Sequence, residues 1–128
     1  MNQHENHAEL VNGFFKEQQQ IFESSSQAMY AFLDEDSRVC NQKFATLLGY
    51  SSPDEWSKVD LQGSFPSTFV ADKSQRTLST AFQNAMENME GSTIEITWKK
   101  KSGGTVDTTV ILVPIAYKGH LFALHFIS

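Results

Sequence analysis

The chain has 128 residues, 40% hydrophobic and 20% charged with a net charge of -5, which suits one soluble globular domain and leaves too little for two. That acidic balance is the wrong sign for gripping a phosphate backbone, so nucleic acid is not an expected partner. Cys40 is the single cysteine, which excludes an internal disulfide and fits a reducing compartment.

Residues 1–7 are polar and read as a frayed start. Residues 8–23 predict a helix, with Leu10, Val11, Phe14, Phe15, Ile21 and Phe22 recurring at three- and four-residue spacing. Gly13 costs this helix about 1 kcal/mol relative to Ala. Ala28–Asp34 and Ser37–Cys40 predict a strand pair around an acidic turn. Asn41 is placed to cap a helix bearing Phe44, Leu47 and Leu48, with Gly49 to stop it. Ser52-Pro53-Asp54-Glu55 is a second helix start. Residues 60–68 read as a loop, followed by a long helix from Val70 or Ala71 to Met89 that Gly91 ends.

Three strands close the chain: Thr93–Lys100, Thr105–Tyr117 and His120–Ile127, with turns at Ser102-Gly103-Gly104 and Lys118-Gly119. This order predicts an α+β domain with an antiparallel sheet. The longest apolar run, Val110–Tyr117, is eight residues and contains Pro114, whereas about 20 are needed to span a bilayer. The start also lacks the basic-then-apolar pattern of a secretory signal, so no membrane contact and a cytoplasmic location are expected.

The stretch IFESSSQAMYAFLDEDSRVCNQKFATLLGYSSPDEW resembles the opening of PAS sensory domains, and Glu95–Gly104 resembles their later hairpin. The likeness covers residues 19–128. It departs at the end, where Phe126-Ile127-Ser128 stands in place of the Asp-Ile-Thr common in the family. The resemblance implies a five-stranded antiparallel sheet with helices over one face, a PAS domain over 24–128, and an N-terminal flanking helix within 1–23. It further implies a regulatory rather than enzymatic role in signal transduction. Such a domain senses a small molecule or mediates dimerisation, and relays the result to a C-terminal effector such as a histidine kinase, as in two-component systems, or a cyclase.

Strand parity assigns Ile94, Ile96 and Trp98, Val106, Thr108, Val110 and Leu112, and Phe122, Leu124 and Phe126 to the inner, helix-facing side. With Phe44, Leu48, Leu78 and Phe82 from the helices, the set Ile96, Trp98, Thr108, Val110, Phe122 and Leu124 either fills a core or bounds a small apolar ligand pocket. The outer side would carry Ile111, Val113, Ile115, Leu121 and Ala123. That face and the helix stripe predict a homodimer, the alternative being a helix folded back over its own sheet.

No haem or covalent flavin is expected. The long helix has no His to serve as the family's axial ligand, and residues 59–68 contain no Cys to form an adduct. His4 and His7 lie in the frayed start, His120 in a turn and His125 on the outward parity, so none is expected to bind metal. Lys99-Lys100-Lys101 reads as a solvated hairpin tip, and Cys40 as a buried structural thiol. Two other readings remain open. One is a cone-shaped enzyme of the ketosteroid-isomerase type using Tyr30 and Asp107; the other is an interaction module with a filled core.

Overall fold

The computed structural model describes residues 3–128, with the side chains of residues 3–6 and 8 left undescribed. His4 therefore lies outside the described side chains. Five strands form one antiparallel sheet in the order β2-β1-β5-β4-β3: β1 (Ala28–Asp34), β2 (Ser37–Cys40), β3 (Ser92–Lys99), β4 (Thr105–Tyr117) and β5 (His120–Ile127). The last strand of the chain thus sits in the middle of the sheet, joining the early hairpin to the late one.

Helices α1 (Gln3–Glu17) and α2 (Gln19–Ser24) cross the outer face. Helices α3 (Gln42–Leu48), α4 (Pro53–Ser57), α5 (Phe65–Phe69) and α6 (Asp72–Asn88) cover the inner face. Three features differ from the expectation for this helical half. The first helix begins at Gln3 and kinks at Gln18 (φ -98°, ψ 9°), although the backbone ladder continues through it from Gln18 N to Phe14 O and from Phe22 N to Gln18 O. The kink lets Phe22 meet the rings of Phe14 and Phe15, at 6.3 and 5.2 Å. The expected loop at 60–68 contains the start of α5, capped reciprocally by Ser64 and Ser67 with Pro66 in the first turn. Finally, α6 ends before Gly91, at Asn88, with Met89 taking the left-handed conformation (φ 56°).

Asn41 does more than cap α3. Its Oδ1 accepts from Phe44 N and Met29 N, both at 3.0 Å, while Nδ2 donates to Phe22 O at 3.1 Å and Gln27 O at 2.9 Å. Every hydrogen-bonding site of this buried amide that the geometry can reach is used, as burial demands.

The sheet register corrects the expected parity of β5. Lys118 and Gly119 form a two-residue turn with positive φ at both positions (48° and 81°), the type I′ geometry that matches strand twist. Such a turn pairs Tyr117 with His120, so even-numbered residues of β4 face odd-numbered residues of β5: Leu112 meets His125 and Val110 meets Ile127. Phe122, Leu124 and Phe126 therefore belong to the outer face, and Ala123, His125 and Ile127 to the inner one. Leu121, opposite Ala116, moves with Ala123 off the outer face as well.

The outer cluster consists of Val11, Phe14, Phe22, Met29, Ala31, Phe122 and Leu124, with Leu10, Phe15 and Ile115 packed around it. The helix stripe is thus covered by its own sheet, and its apolarity by itself no longer calls for a second subunit. The large apolar residues left exposed near it are Ile21 (56%) and, farther along the sheet, Ile111 (43%).

Candidate functional site

The inner core is organised around Tyr30, whose alternation on β1 aims it under the helices. Its ring lies 4.8 Å from Phe44, 5.7 Å from Trp56, 5.6 Å from Phe65 and 5.7 Å from Trp98. On its other side His125 stacks nearly parallel, at 3.9 Å and 10°. The correction of β5 parity thus takes His125 from the expected surface to a fully buried site. Its Nδ1 donates to Ala123 O at 3.1 Å in the neutral ring, and burial pushes its pKa down to about 3. Burial likewise pushes the Tyr30 hydroxyl well above the usual phenol range. Both groups are neutral at pH 7.

Beside this stacked pair a cleft of about 430 Å³ opens between β1, the start of α5 and the middle of α6. Its walls are Tyr30, Phe32, Phe65, Leu78, Phe82 and His125, and its rim carries Asp34, Glu35, Ser64 and Ser79. The size lies within the range of small-molecule sites.

Of the residues singled out from sequence, Leu78 and Phe82 line this cleft. Phe44, Leu48, Ile96, Trp98 and Val110 are buried in the adjoining core. Thr108 is engaged within the protein: it accepts from Trp98 Nε1 at 2.9 Å and donates to Ile96 O at 2.9 Å. Phe122 and Leu124 lie on the opposite face. Tyr30, Phe32, Phe65 and His125 are the cleft residues that sequence reasoning missed. The signal for His125 was the Lys118-Gly119 turn, which fixes the parity; the signal for Phe65 was Ser64-Phe65-Pro66, a helix start.

Two tethers fix the rim. Glu35 Oε2 accepts from Phe65 N at 2.6 Å, tying the β1–β2 turn to α5. Asp34 Oδ2 lies 2.7 Å from His7 Nδ1 on α1, which also packs edge-on against His120 at 5.1 Å. Asp34 is further held by Asp36 N, and these partners outweigh its desolvation to keep its carboxyl below the usual range. The segment expected to fray therefore reaches the cleft rim through His7. Behind the turn, buried Arg38 donates to Glu35 O (2.7 Å), Trp56 O (3.1 Å) and Val59 O (3.0 Å), with its guanidinium over Trp56 and Phe69.

The lysine run is also more engaged than a solvated tip. Lys101 pairs with Glu55 at 2.7 Å and Lys99 donates to Ser67 O at 2.9 Å, which docks the β3–β4 hairpin onto α4 and α5. Cys40 is fully buried, and desolvation raises its pKa far above that of a reactive thiol. Tyr30 and Asp107 do not meet. Tyr30 is inward, whereas Asp107 is exposed on the outer face of β4 and accepts from Thr97 Oγ1 at 2.5 Å, so they cannot form one catalytic constellation. Among the described residues no three or more His, Cys, Asp or Glu gather into a metal-binding group, and no helix is long and apolar enough to cross a membrane.

No family model and no curated protein matches the chain. Solved structures do. A PAS domain from a two-component sensor histidine kinase superimposes with a TM-score of 0.66 at 14% identity, covering 91% of this chain and 96% of that one. A PAS domain from Colwellia psychrerythraea gives 0.64 at 19% identity, over 90% and 95%. The PAS domain of an HTR-like protein from Haloarcula marismortui gives 0.61 at 18% identity, over 97% and 98%. With its five-stranded antiparallel sheet, one face under short helices and a long one, the chain has the PAS fold.

Proposed function

We propose that the chain is a non-enzymatic sensory module whose ligand site is the cleft beside Tyr30 and His125, and that occupancy is relayed to an effector such as a histidine kinase or cyclase. The observation that carries this reading is the cleft itself, about 430 Å³ with an aromatic lining, opening between the sheet and the long helix of a PAS fold. Its walls suit a compact, largely apolar molecule. The His7–Asp34 contact gives a route outward, since the residue at the rim also holds the flanking helix. The working location of such a module is the cytoplasm.

Titrating the domain with a small neutral aromatic such as indole, read by thermal shift, tests the reading. Saturable stabilisation is expected in the wild type, and loss of it in Ser79→Trp, which places an indole at the rim from an exposed helix position. Equal stabilisation of both proteins would place binding elsewhere and overturn the assignment.

The filled end of the core, where Trp98 is fully buried with its indole N–H satisfied by Thr108, favours a second reading as an interaction module. In that reading self-association uses the residues left open by the helix pair, Ile21 and Ile111. Sedimentation at high micromolar concentration should then show a dimer that Ile111→Glu dissociates; a wild-type monomer overturns it.

A further inference from the structure

The cleft has a marked asymmetry of charge. Its lining includes two carboxylates, Asp34 and Glu35, and neither lysine nor arginine. The histidine present, His125, is a neutral ring buried against Tyr30. Arg38 lies behind the turn, where Nη1 and Nη2 donate to main-chain carbonyls, including that of Glu35; its charge acts on the Glu35 carboxylate through space and not through a hydrogen bond.

The two carboxylates are not equivalent. Both oxygens of Asp34 are engaged, one by His7 and the other by Asp36 N. Glu35 is held through Oε2 alone, by Phe65 N, which fixes the carboxylate against the first turn of α5. Its Oε1 has no donor among the described residues. The same cleft is lined by the rings of Phe32 and Phe65, 5.1 Å apart and edge-on at 72°, and by Phe82, which packs against Phe32 at 5.2 Å and 86°. Three rings meeting at steep angles present both faces and edges to the same space. Ring faces attract a cation electrostatically, most strongly where water is excluded, and a fixed carboxylate at the rim adds to that field.

From this juxtaposition we propose that the cleft recognises an organic cation: an ammonium or quaternary ammonium head seated between Glu35 and the rings of Phe32, Phe65 and Phe82, carried on a compact apolar body that enters toward Tyr30 and His125. The inference rests on the cleft being a ligand site and specifies the ligand's charge. An anion would meet two carboxylates with no lysine or arginine in the lining to answer them. A neutral apolar molecule would fill the walls but gain nothing from the Glu35 carboxylate, which stands exposed at the rim.

The test uses the 128-residue chain and three probes of matched size: benzyltrimethylammonium, its neutral carbon isostere neopentylbenzene, and the anion benzylphosphonate. Binding is read by calorimetry at low salt and by quenching of intrinsic fluorescence. The expected order is cation first, by about tenfold over the neutral probe, with no measurable binding of the anion. Glu35→Gln retains an acceptor for Phe65 N, and should weaken the cation about tenfold while leaving the neutral probe unchanged. Phe82→Leu should reduce the same preference without touching the rim. If the neutral probe binds as tightly as the cation, or the anion binds best, the charge assignment falls and the ligand-binding cleft stands. If none of the three binds, both fall. Because the wild-type comparison needs no variant, the outcome does not depend on either substitution folding.

Discussion

The two faces of one sheet are built to different rules. Outside, β5 contributes Phe122 and Leu124, which close tightly on Phe14 and Phe22 from the helix pair. Inside, beside the cleft, the same strand contributes Ala123 and His125, one small and one polar, and the larger residues there come from β1, α5 and α6. Bulk placed outward on the central strand is bulk withheld from the inner face. The inner layer is consequently an aromatic network with an unfilled margin, whereas the outer layer is a satellite cluster that covers part of its face and leaves Ile111 in water. A sheet can thus pack tightly on one side and be receptive on the other without any change in its backbone.

The largest expected effect separates the layers by stability. Phe44→Ala removes a fully buried ring that touches Tyr30, Trp56 and Trp98, and should cost about 4 kcal/mol by chemical denaturation. Phe14→Ala should cost less, about 2 kcal/mol, because the helix pair can detach locally before the sheet opens. Amide exchange should then quicken in α1 and α2 alone; equal losses at both sites would mean that the faces unfold as one layer.

The next effect belongs to the inner face and depends on pH. His125 binds a proton below about pH 6.5 in the unfolded chain but only near 3 in the folded one, so the unfolded state takes up more protons between those values. Stability should therefore fall by about 2 kcal/mol from pH 7 to pH 5, and His125→Phe should flatten that slope. Asp34, held below its usual range, adds a loss of the same sign only under more acidic conditions, below about pH 4. A variant that keeps the full slope between pH 7 and 5 would move its origin away from the inner face.

The smallest effect sharpens the outer face. A Cβ at Gly13 would sit 3.5 Å from the Tyr117 hydroxyl, an ordinary contact, with backbone already helical. Gly13→Ala should stabilise the helix by about 0.5–1 kcal/mol and raise the thermal midpoint accordingly. A fall would show α1 lying closer to Tyr117.

Element types were largely legible in the sequence because their signals are local: Asn41 and Ser52 as caps, Gly49 as a stop, alternation in Ile94, Ile96 and Trp98. The inner face of β5 was not read correctly because His-Leu-Phe-Ala-Leu-His-Phe-Ile is apolar on both sides, so hydrophobicity carries no parity there. The turn length did carry it. The cleft was harder still. It depends on side chains from β1 and α5 converging across about 30 residues of chain, from Glu35 to Phe65. No pattern within a single element records such a meeting. The seat of α1 was similarly open, since an apolar stripe states that it needs a cover and leaves the identity of that cover to the tertiary fold.

Asn41 has a mechanical consequence. One planar amide is riveted at one end to Phe22 O and Gln27 O, where the outer helix pair runs into the sheet, and at the other to Met29 N and Phe44 N, where β1 and α3 begin. A pull on α2 that stretches the Nδ2 bonds must turn the whole amide plane, and turning it draws Oδ1 away from Phe44 N. The first turn of α3 then loses its cap, and Phe44, which it carries, loses its anchor against Tyr30. Displacement on one side of the sheet is thereby converted into slack on the other, through a lever about the length of a single side chain.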